Sequence, residues 1–145
     1  FTYGFLHGDF YHILFNMFML WMFGKELSVL MGPQRFLFYY LTCIMGAGII
    51  QLLIASMQGQ YYPTLGASGG VFGLLMAFGL AFPNRTVMLL FPPIPMKAKY
   101  LVILAGAMEL YFGVSGSSPD IANFAHLGGM LFGFLLLKYW GVIRF

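Results

Sequence analysis

The stretch Gly66-Ala67-Ser68-Gly69 opens an uncharged, apolar segment that runs to Phe82. His126 lies inside a second apolar segment, and His12 and Asn16 lie inside a third. Side chains that transfer protons or donate hydrogen bonds are costly to keep inside apolar spans, so they indicate a functional site. A serine, a histidine and further amide or imidazole donors are the groups that a serine hydrolase needs.

Composition indicates a membrane protein. Apolar residues make up 61% of the 145 residues and charged residues only 8%, and a soluble domain of this length could not bury that much apolar surface. We therefore predict an all-α, polytopic transmembrane bundle that forms one domain over residues 1–145. Its five apolar segments are Phe10 to Gly24, Phe36 to Met57, Ser68 to Phe82, Tyr100 to Val114 and Ile121 to Trp140. Because the chain opens without an initiator Met or a basic leader, we expect an N-terminally truncated fragment.

The basic residues predict the orientation in the membrane. If each segment crosses once, every Lys and Arg falls on one side, which the positive-inside rule identifies as cytoplasmic. We expect no nucleic-acid partner, because that binding needs a clustered basic face. Asp9 and Asp120 lie on the other side, where we predict that they cap helix starts. The proline-rich stretch 92–99 is predicted to be a cytoplasmic interfacial loop.

The unusual polar residues share one depth. The uncharged segment that begins at Ser68 rises roughly 21 Å, short of a ~30 Å hydrocarbon core, so Ser68 should lie about 10 Å below the outer surface. This predicts that the preceding stretch 59–65 dips into the membrane, surrounded by protein or water. His12, Asn16 and His126 lie near the outer ends of their segments. Reactive groups from three helices therefore fall in one layer.

Two stripes of small residues predict how Ser68 and His126 could meet. Small residues recur at every fourth position in two segments: Gly69, Gly73 and Ala77 in one, and Ala125, Gly129 and Gly133 in the other. Such stripes let helix backbones approach closely in lipid. The imidazole could then take the serine proton and later return it to a leaving amine. A helix N-terminus at Ser68, with His12 and Asn16 as further donors, would stabilise an oxyanion.

Each feature taken alone has a simpler interpretation. Glycine stripes are commonly packing devices, and a single buried His126 could merely bridge two helices. The Gly-x-Ser-x-Gly elbow of soluble hydrolases is excluded, because Gly70 follows Gly69 directly and no strand precedes the serine. The combination of motifs, rather than any one of them, is what indicates catalysis.

Three motifs, in order along the chain, resemble those of the rhomboid intramembrane serine proteases. They are His12-Ile13-Leu14-Phe15-Asn16 for the family's His-xxx-Asn, Gly66-Ala67-Ser68-Gly69 for its Gly-x-Ser-Gly, and Ala125-His126-Leu127-Gly128-Gly129 with Gly133 for its final helix. Gly32-Pro33-Gln34-Arg35-Phe36 is similar to the family's short connection between its second and third helices. The resemblance runs over nearly the whole chain.

The resemblance implies a rhomboid-type bundle that cleaves the transmembrane segments of other membrane proteins near the outer membrane face. It implies Ser68 as nucleophile and His126 as general base. The oxyanion site would comprise His12, Asn16 and the Ser68 backbone N–H, with supporting positions at Gly66, Gly69, Phe72 and Gly129. It implies no metal and no cofactor. The expected partners are transmembrane substrates and the lipid bilayer, and the expected location is a bacterial plasma membrane, with an organelle membrane as the alternative.

Three positions or regions depart from the family's pattern. The family core has six helices, so its first helix and the following loop are expected to be missing from this chain. Phe72 stands where many members have Tyr, which keeps a ring beside His126 but loses a hydroxyl. Glu109 matches no motif; we favour a structural role, neutral or hydrogen-bonded to a neighbouring helix, with orientation of His126 as the alternative. For Gln51 we favour a hydrogen bond across helices over a place in the cavity wall.

Two other classes of function remain open. A catalytically inactive rhomboid relative would act as a binding module for membrane proteins, but such relatives typically lack the serine or the histidine, and both are present here. A small transporter or channel would place its polar groups near the membrane midplane. The polar groups of this chain are instead predicted near one face.

Overall fold

The computed structural model describes residues 2–59, 64, 66–89, 92–116 and 122–142. A short 3₁₀ turn (Thr2–Phe5) precedes five helices: α1 (Phe10–Met31), α2 (Pro33–Gln58), α3 (Ser68–Ala81), α4 (Ala98–Ser115) and α5 (Asn123–Tyr139). Two short strands, β1 (Thr86–Met88) and β2 (Pro95–Lys97), lie between α3 and α4. The predicted five-helix bundle is confirmed. The predicted dip at 59–65 and the predicted cap at Asp120 fall largely or wholly outside the described residues.

The short helix α3 is the centre of the bundle. Helices α1, α2 and α4 are long and apolar enough to cross a membrane, whereas α3 has 14 residues and so rises only about 21 Å. It packs against each of the other four helices, and nine of its residues are buried. Protein rather than lipid therefore surrounds α3, which explains how an integral membrane protein accommodates a helix shorter than a full span.

A single residue, Gly32, joins α1 to α2. Its φ of 81° lies in the left-handed region that favours glycine, and its N–H donates to the Ser28 carbonyl at 3.0 Å. Pro33 follows as the first residue of α2, a position where the missing N–H leaves no helical hydrogen bond unmade. This tight turn makes α1 and α2 neighbours in the bundle.

Two regions differ from the sequence prediction. The first segment was predicted to end at Gly24, but α1 continues to Met31. The charges at 25 and 26 do not end the helix, and Glu26 pairs with Arg85 at 2.6 Å. The stretch 92–99, predicted to be a loop, instead contains strand β2, which pairs with β1 in an antiparallel register with Thr86 opposite Lys97, and its last two residues begin α4.

Helices α2, α3 and α5 meet through small residues. A Cβ added at Gly129 on α5 would lie 1.9 Å from the carbonyl oxygen of Gly69 on α3, so these two backbones are in direct contact. A Cβ at Gly73 would lie 2.4 Å from the Sγ of Cys43 on α2. The Tyr39 hydroxyl of α2 also donates to the Gly73 carbonyl at 2.7 Å. The predicted contact between the two stripes is confirmed, and α2 completes the junction.

Candidate active site

Ser68 and His126 face each other across the junction of α3 and α5. Ser68 is the first residue of α3, and His126 lies in the first turn of α5. The His126 Nε2 and the Ser68 Oγ are 2.9 Å apart, which is hydrogen-bonding distance. His126 is 9% exposed. Because backbone contacts between Gly69 and Gly129 fix the two helices next to these residues, the geometry of the pair is set by rigid elements.

The His126 ring is also held on its face and at its second nitrogen. The Phe72 ring stacks on it with centroids 4.3 Å apart and planes within 8°. On the ring edge away from Ser68, the Oε1 of Glu109 lies 3.1 Å from Nδ1. The two atoms are at ion-pair distance, although Nδ1 and Oε1 lack the alignment of a full hydrogen bond. Glu109 comes from α4, so three helices contribute to the surroundings of this imidazole.

Helix α1 brings His12 to the loop that precedes Ser68. The predicted cap at Asp9 is confirmed, because its Oδ1 accepts a hydrogen bond from the His12 backbone N–H at 2.8 Å. A Cβ added at Gly66 would lie 2.6 Å from the His12 Nε2, and the φ of Gly66 is 101°. Gly66 therefore satisfies two requirements, since its backbone conformation favours glycine and the imidazole fills the space of a side chain.

Hydrogen bonding indicates which His12 nitrogen carries the proton. The Gly8 backbone N–H points to the His12 Nδ1 at 3.4 Å, so Nδ1 acts as acceptor. In a neutral imidazole the other nitrogen is then the donor, which places an N–H at Nε2, beside Gly66. One turn further along α1, Asn16 is 3% exposed, and its Nδ2 donates to the His12 carbonyl at 2.8 Å. An amide nitrogen has two hydrogens, so one remains for another acceptor.

The N-terminal 3₁₀ turn is hydrogen-bonded to the loop that precedes Ser68. The Gly66 backbone N–H donates to the Tyr3 carbonyl at 3.0 Å, and the Tyr3 hydroxyl donates to the Ile44 carbonyl on α2. A Cβ added at Gly48 would lie 2.9 Å from the Tyr3 ring, so a glycine there admits the aromatic side chain. Residues outside the predicted motifs thus fix the backbone two residues before Ser68.

A cavity of about 1290 Å³ connects these groups. Its wall includes Gln51 and five predicted site residues, namely His12, Asn16, Ser68, Phe72 and His126. The favoured prediction for Gln51, a hydrogen bond across helices, was wrong for its side-chain oxygen. Oε1 is buried without a hydrogen-bond partner among the described residues. Within those residues, no group of three or more His, Cys, Asp or Glu side chains could hold a metal ion.

Glu109 contacts the proposed base. The sequence favoured a structural role, neutral or hydrogen-bonded to a neighbouring helix, over orientation of His126, and the structure brings the carboxylate to the His126 Nδ1 on α5, a contact that fits both interpretations. Glu109 lies six residues before the end of α4, and His126 lies three residues after the start of α5. Counting residues from the facing ends of these two consecutive helices would have put both side chains within about one helical turn of the same level.

Comparison with known proteins agrees with this architecture. The rhomboid domain family matches residues 1–142. Rhomboid protein 1, mitochondrial, from Saccharomyces cerevisiae is 31% identical over 90% of this chain, and rhomboid protease GluP from Bacillus subtilis is 36% identical over 94%. Presenilin-associated rhomboid-like protein, mitochondrial, from Homo sapiens is 25% identical over 93%.

The chain spans only part of each relative. It covers 38% of the length of the yeast protein, 36% of the human protein and 25% of the Bacillus protein. Two of these relatives are named as mitochondrial proteins and the third comes from a bacterium. The comparison therefore does not decide between a bacterial and an organelle membrane. The family match, the helical bundle and the apolar spans together lead to one assignment: this chain is an integral membrane protein of the rhomboid family.

Proposed function

We propose that this chain carries the active site of an intramembrane serine endopeptidase, with Ser68 as nucleophile and His126 as general base. The observation that supports this most strongly is the 2.9 Å distance between the Ser68 Oγ and the His126 Nε2. A nucleophile and a base on different helices, in contact at the wall of one cavity, form the arrangement that covalent catalysis requires. Structural histidines have no need of a serine hydroxyl at a cavity surface.

The proposed reaction has two stages. As the Ser68 Oγ attacks the carbonyl carbon of a peptide bond, the His126 Nε2 takes the hydroxyl proton, and a tetrahedral oxyanion forms. His126 then gives that proton to the leaving amine as the C–N bond breaks, which leaves an acyl group on Ser68. In the second stage, His126 takes a proton from water, and the water oxygen displaces Ser68, which recovers its proton from His126.

The oxyanion would be stabilised by donors from two helices. Ser68 opens α3, and the first N–H groups of a helix precede its internal hydrogen-bond pattern and lie at the positive end of the helix dipole. The His12 Nε2, which carries the proton when Nδ1 accepts from Gly8, lies beside Gly66. Asn16 has a second amide hydrogen available at the cavity. Donors aimed at developing charge in a site of low polarity act mainly on the transition state.

The lining of the cavity supports the proposal that the substrate is a transmembrane segment. Much of its wall is apolar and belongs to different helices, including Phe15 and Met19 on α1 and Leu101 and Ala105 on α4. An apolar segment could therefore approach from the lipid, while the polar groups lie near the outer ends of α1, α3 and α5. Cleavage near the outer face follows from that position. A bacterial plasma membrane is the proposed location, and an organelle membrane is the alternative to test by cell fractionation.

Fluorophosphonate labelling of the full-length protein in liposomes tests the proposal. We expect a fluorophosphonate to modify Ser68, and we expect Ser68→Ala to abolish both labelling and cleavage of a transmembrane substrate while the melting temperature stays within a few degrees. Ser56→Ala is a matched control, because this serine is exposed and its hydroxyl donates to the Leu53 carbonyl within α2. Unchanged cleavage by Ser68→Ala would exclude Ser68 as the nucleophile. An unreactive wild type would instead favour a binding module.

A further inference from the structure

Glu109 is a carboxylate without a place in the two-residue mechanism. The chain has four acidic residues; Asp9 caps α1 and Glu26 pairs with Arg85, whereas Asp120 lies outside the described residues. Glu109 is inside the apolar helix α4, and its side chain is 15% exposed. A carboxylate at such a position is costly unless a partner or a function compensates for the lost hydration.

The contacts of Glu109 lead to His126. Its Oε1 lies 3.1 Å from the His126 Nδ1, and its Oε2 is buried without a hydrogen-bond partner among the described residues. The opposite ring nitrogen of His126 contacts Ser68 at 2.9 Å. The three side chains therefore form a continuous chain from carboxylate to imidazole to hydroxyl, with the Phe72 ring stacked on the imidazole face.

We propose that Glu109 is a positioning residue that acts through His126, an inference that rests on the proposed function. A carboxylate beside Nδ1 keeps the proton on that nitrogen, so the lone pair of Nε2 faces the Ser68 hydroxyl. When Nε2 takes the serine proton, the same carboxylate stabilises the imidazolium that forms. Glu109 itself neither binds the substrate nor gains a proton in this scheme. The imperfect alignment at Nδ1 in the free protein can improve as the charge develops.

The alternative is that Glu109 merely joins α4 to α5. A bridge of that kind predicts a loss of stability when the carboxylate is removed, with kcat preserved in the molecules that remain folded. A positioning role instead predicts that kcat falls while stability changes little. The two explanations therefore differ in which quantity changes, and a substitution that keeps the side-chain volume separates them.

The first test is Glu109→Gln in the full-length protein reconstituted in liposomes with a transmembrane substrate. In soluble proteases with a Ser-His-Asp triad, replacing the orienting carboxylate by an amide lowers kcat by about 10⁴, so we expect a fall of about 10²–10⁴ with KM within about twofold. Glu109→Asp should recover part of the lost kcat, because it restores the charge. Glu26→Gln is the matched control, since that carboxylate pairs with Arg85 away from the cavity, and we expect its kcat to be unchanged.

The second test does not depend on activity. In protein labelled with ¹⁵N-histidine, the His126 signals are identified by their loss in His126→Ala, and their shifts report which ring nitrogen carries the proton. We expect the Nδ1–H form in the wild type and a larger Nε2–H fraction in Glu109→Gln, because an amide can donate to Nδ1.

Each outcome of the two tests has a definite meaning. Unchanged kcat and an unchanged tautomer in Glu109→Gln would overturn the positioning role, and a lowered melting temperature alongside them would assign Glu109 to a structural bridge. Cleavage that persists in Ser68→Ala would instead overturn the proposed function. If Ser68→Ala is inactive and Glu109→Gln keeps full kcat, only the inference about Glu109 fails.

Discussion

The two halves of the bundle are packed in opposite ways. In the closed half, formed by α2, α3 and α5, small residues bring the backbones into contact, as at Gly69 and Gly129. The open half consists of α1 and α4, which line the cavity from either side. Helix α4 has two buried residues, whereas the shorter α3 has nine. Close packing is thus concentrated on one side of the proposed dyad.

The proposed chemistry is divided between these halves. Ser68 and His126 belong to the closed half, where backbone contact fixes their separation. His12, Asn16 and Glu109 belong to the open half, and Glu109 contacts His126. A larger residue at one of the backbone contacts of the closed half should therefore change both folding and catalysis. A polar substitution in the open half should change catalysis with little loss of stability. This comparison orders the following predictions.

The largest expected effect is that of Gly129→Ala. The added Cβ would lie 1.9 Å from the Gly69 carbonyl oxygen, and a backbone atom cannot rotate away, so α3 and α5 must separate. We expect a loss of about 3 kcal/mol or more of unfolding free energy and loss of measurable cleavage. Thermal unfolding in detergent and cleavage in liposomes measure the two effects.

Gly106→Ala on α4 is the control for this substitution. An added Cβ there would approach the Met130 side chain at 3.4 Å, and alanine is favoured over glycine in a helix. We expect stability and cleavage to be retained or slightly raised. Equal destabilisation by both variants would show that the closed half is no more tightly constrained than α4.

Asn16→Ala tests the open half and should leave the protein folded. Losing one oxyanion donor typically costs about 10²–10³ in turnover, or roughly 3–4 kcal/mol of transition-state stabilisation. We expect kcat to fall by that factor with little change in KM, and the lost hydrogen bond to the His12 carbonyl should cost only about 1 kcal/mol of stability. Kinetics with a transmembrane substrate in liposomes measure the change.

The matched control for Asn16→Ala is Met17→Ala, because Met17 is exposed on the same helix. It should retain kcat, whereas His12→Ala should resemble Asn16→Ala. An Asn16→Ala enzyme with unchanged kcat and a raised KM would assign this residue to substrate binding rather than to the oxyanion site.

The smallest expected effect is that of Phe72→Ala, which removes the ring stacked on His126. Aromatic stacking contributes about 0.5–1.5 kcal/mol beyond buried area, so a less restricted imidazole should lower kcat by up to about tenfold. Met76→Ala, one turn further along α3 and partly buried, should lower the melting temperature without this change in kcat. If the two variants behave alike, the stack contributes only packing.

Most of the helical order was predictable because it depends on local composition. Apolar segments of sufficient length specify helices in lipid, where backbone groups need internal partners, and the predicted boundaries of α2, α3 and α4 lie within three residues of those observed. The extension of α1 to Met31 was missed because charged residues were taken as its end. The hairpin was missed because pairing between β1 and β2 joins residues up to eleven positions apart.

The sequence by itself determined which candidate polar groups the apolar segments carry and their order, and it predicted a common depth for them, because these follow from residue type and from distance along a helix. The spacing of Gly69, Gly73, Gly129 and Gly133 also determined which helix faces could approach. Only the tertiary structure decided that Glu109 meets the His126 Nδ1, that Tyr3 braces the Gly66 loop and that Gln51 lines the cavity. Such contacts depend on how each helix is rotated about its axis. That rotation is set by packing against the other helices at once, and no local pattern along one segment encodes it.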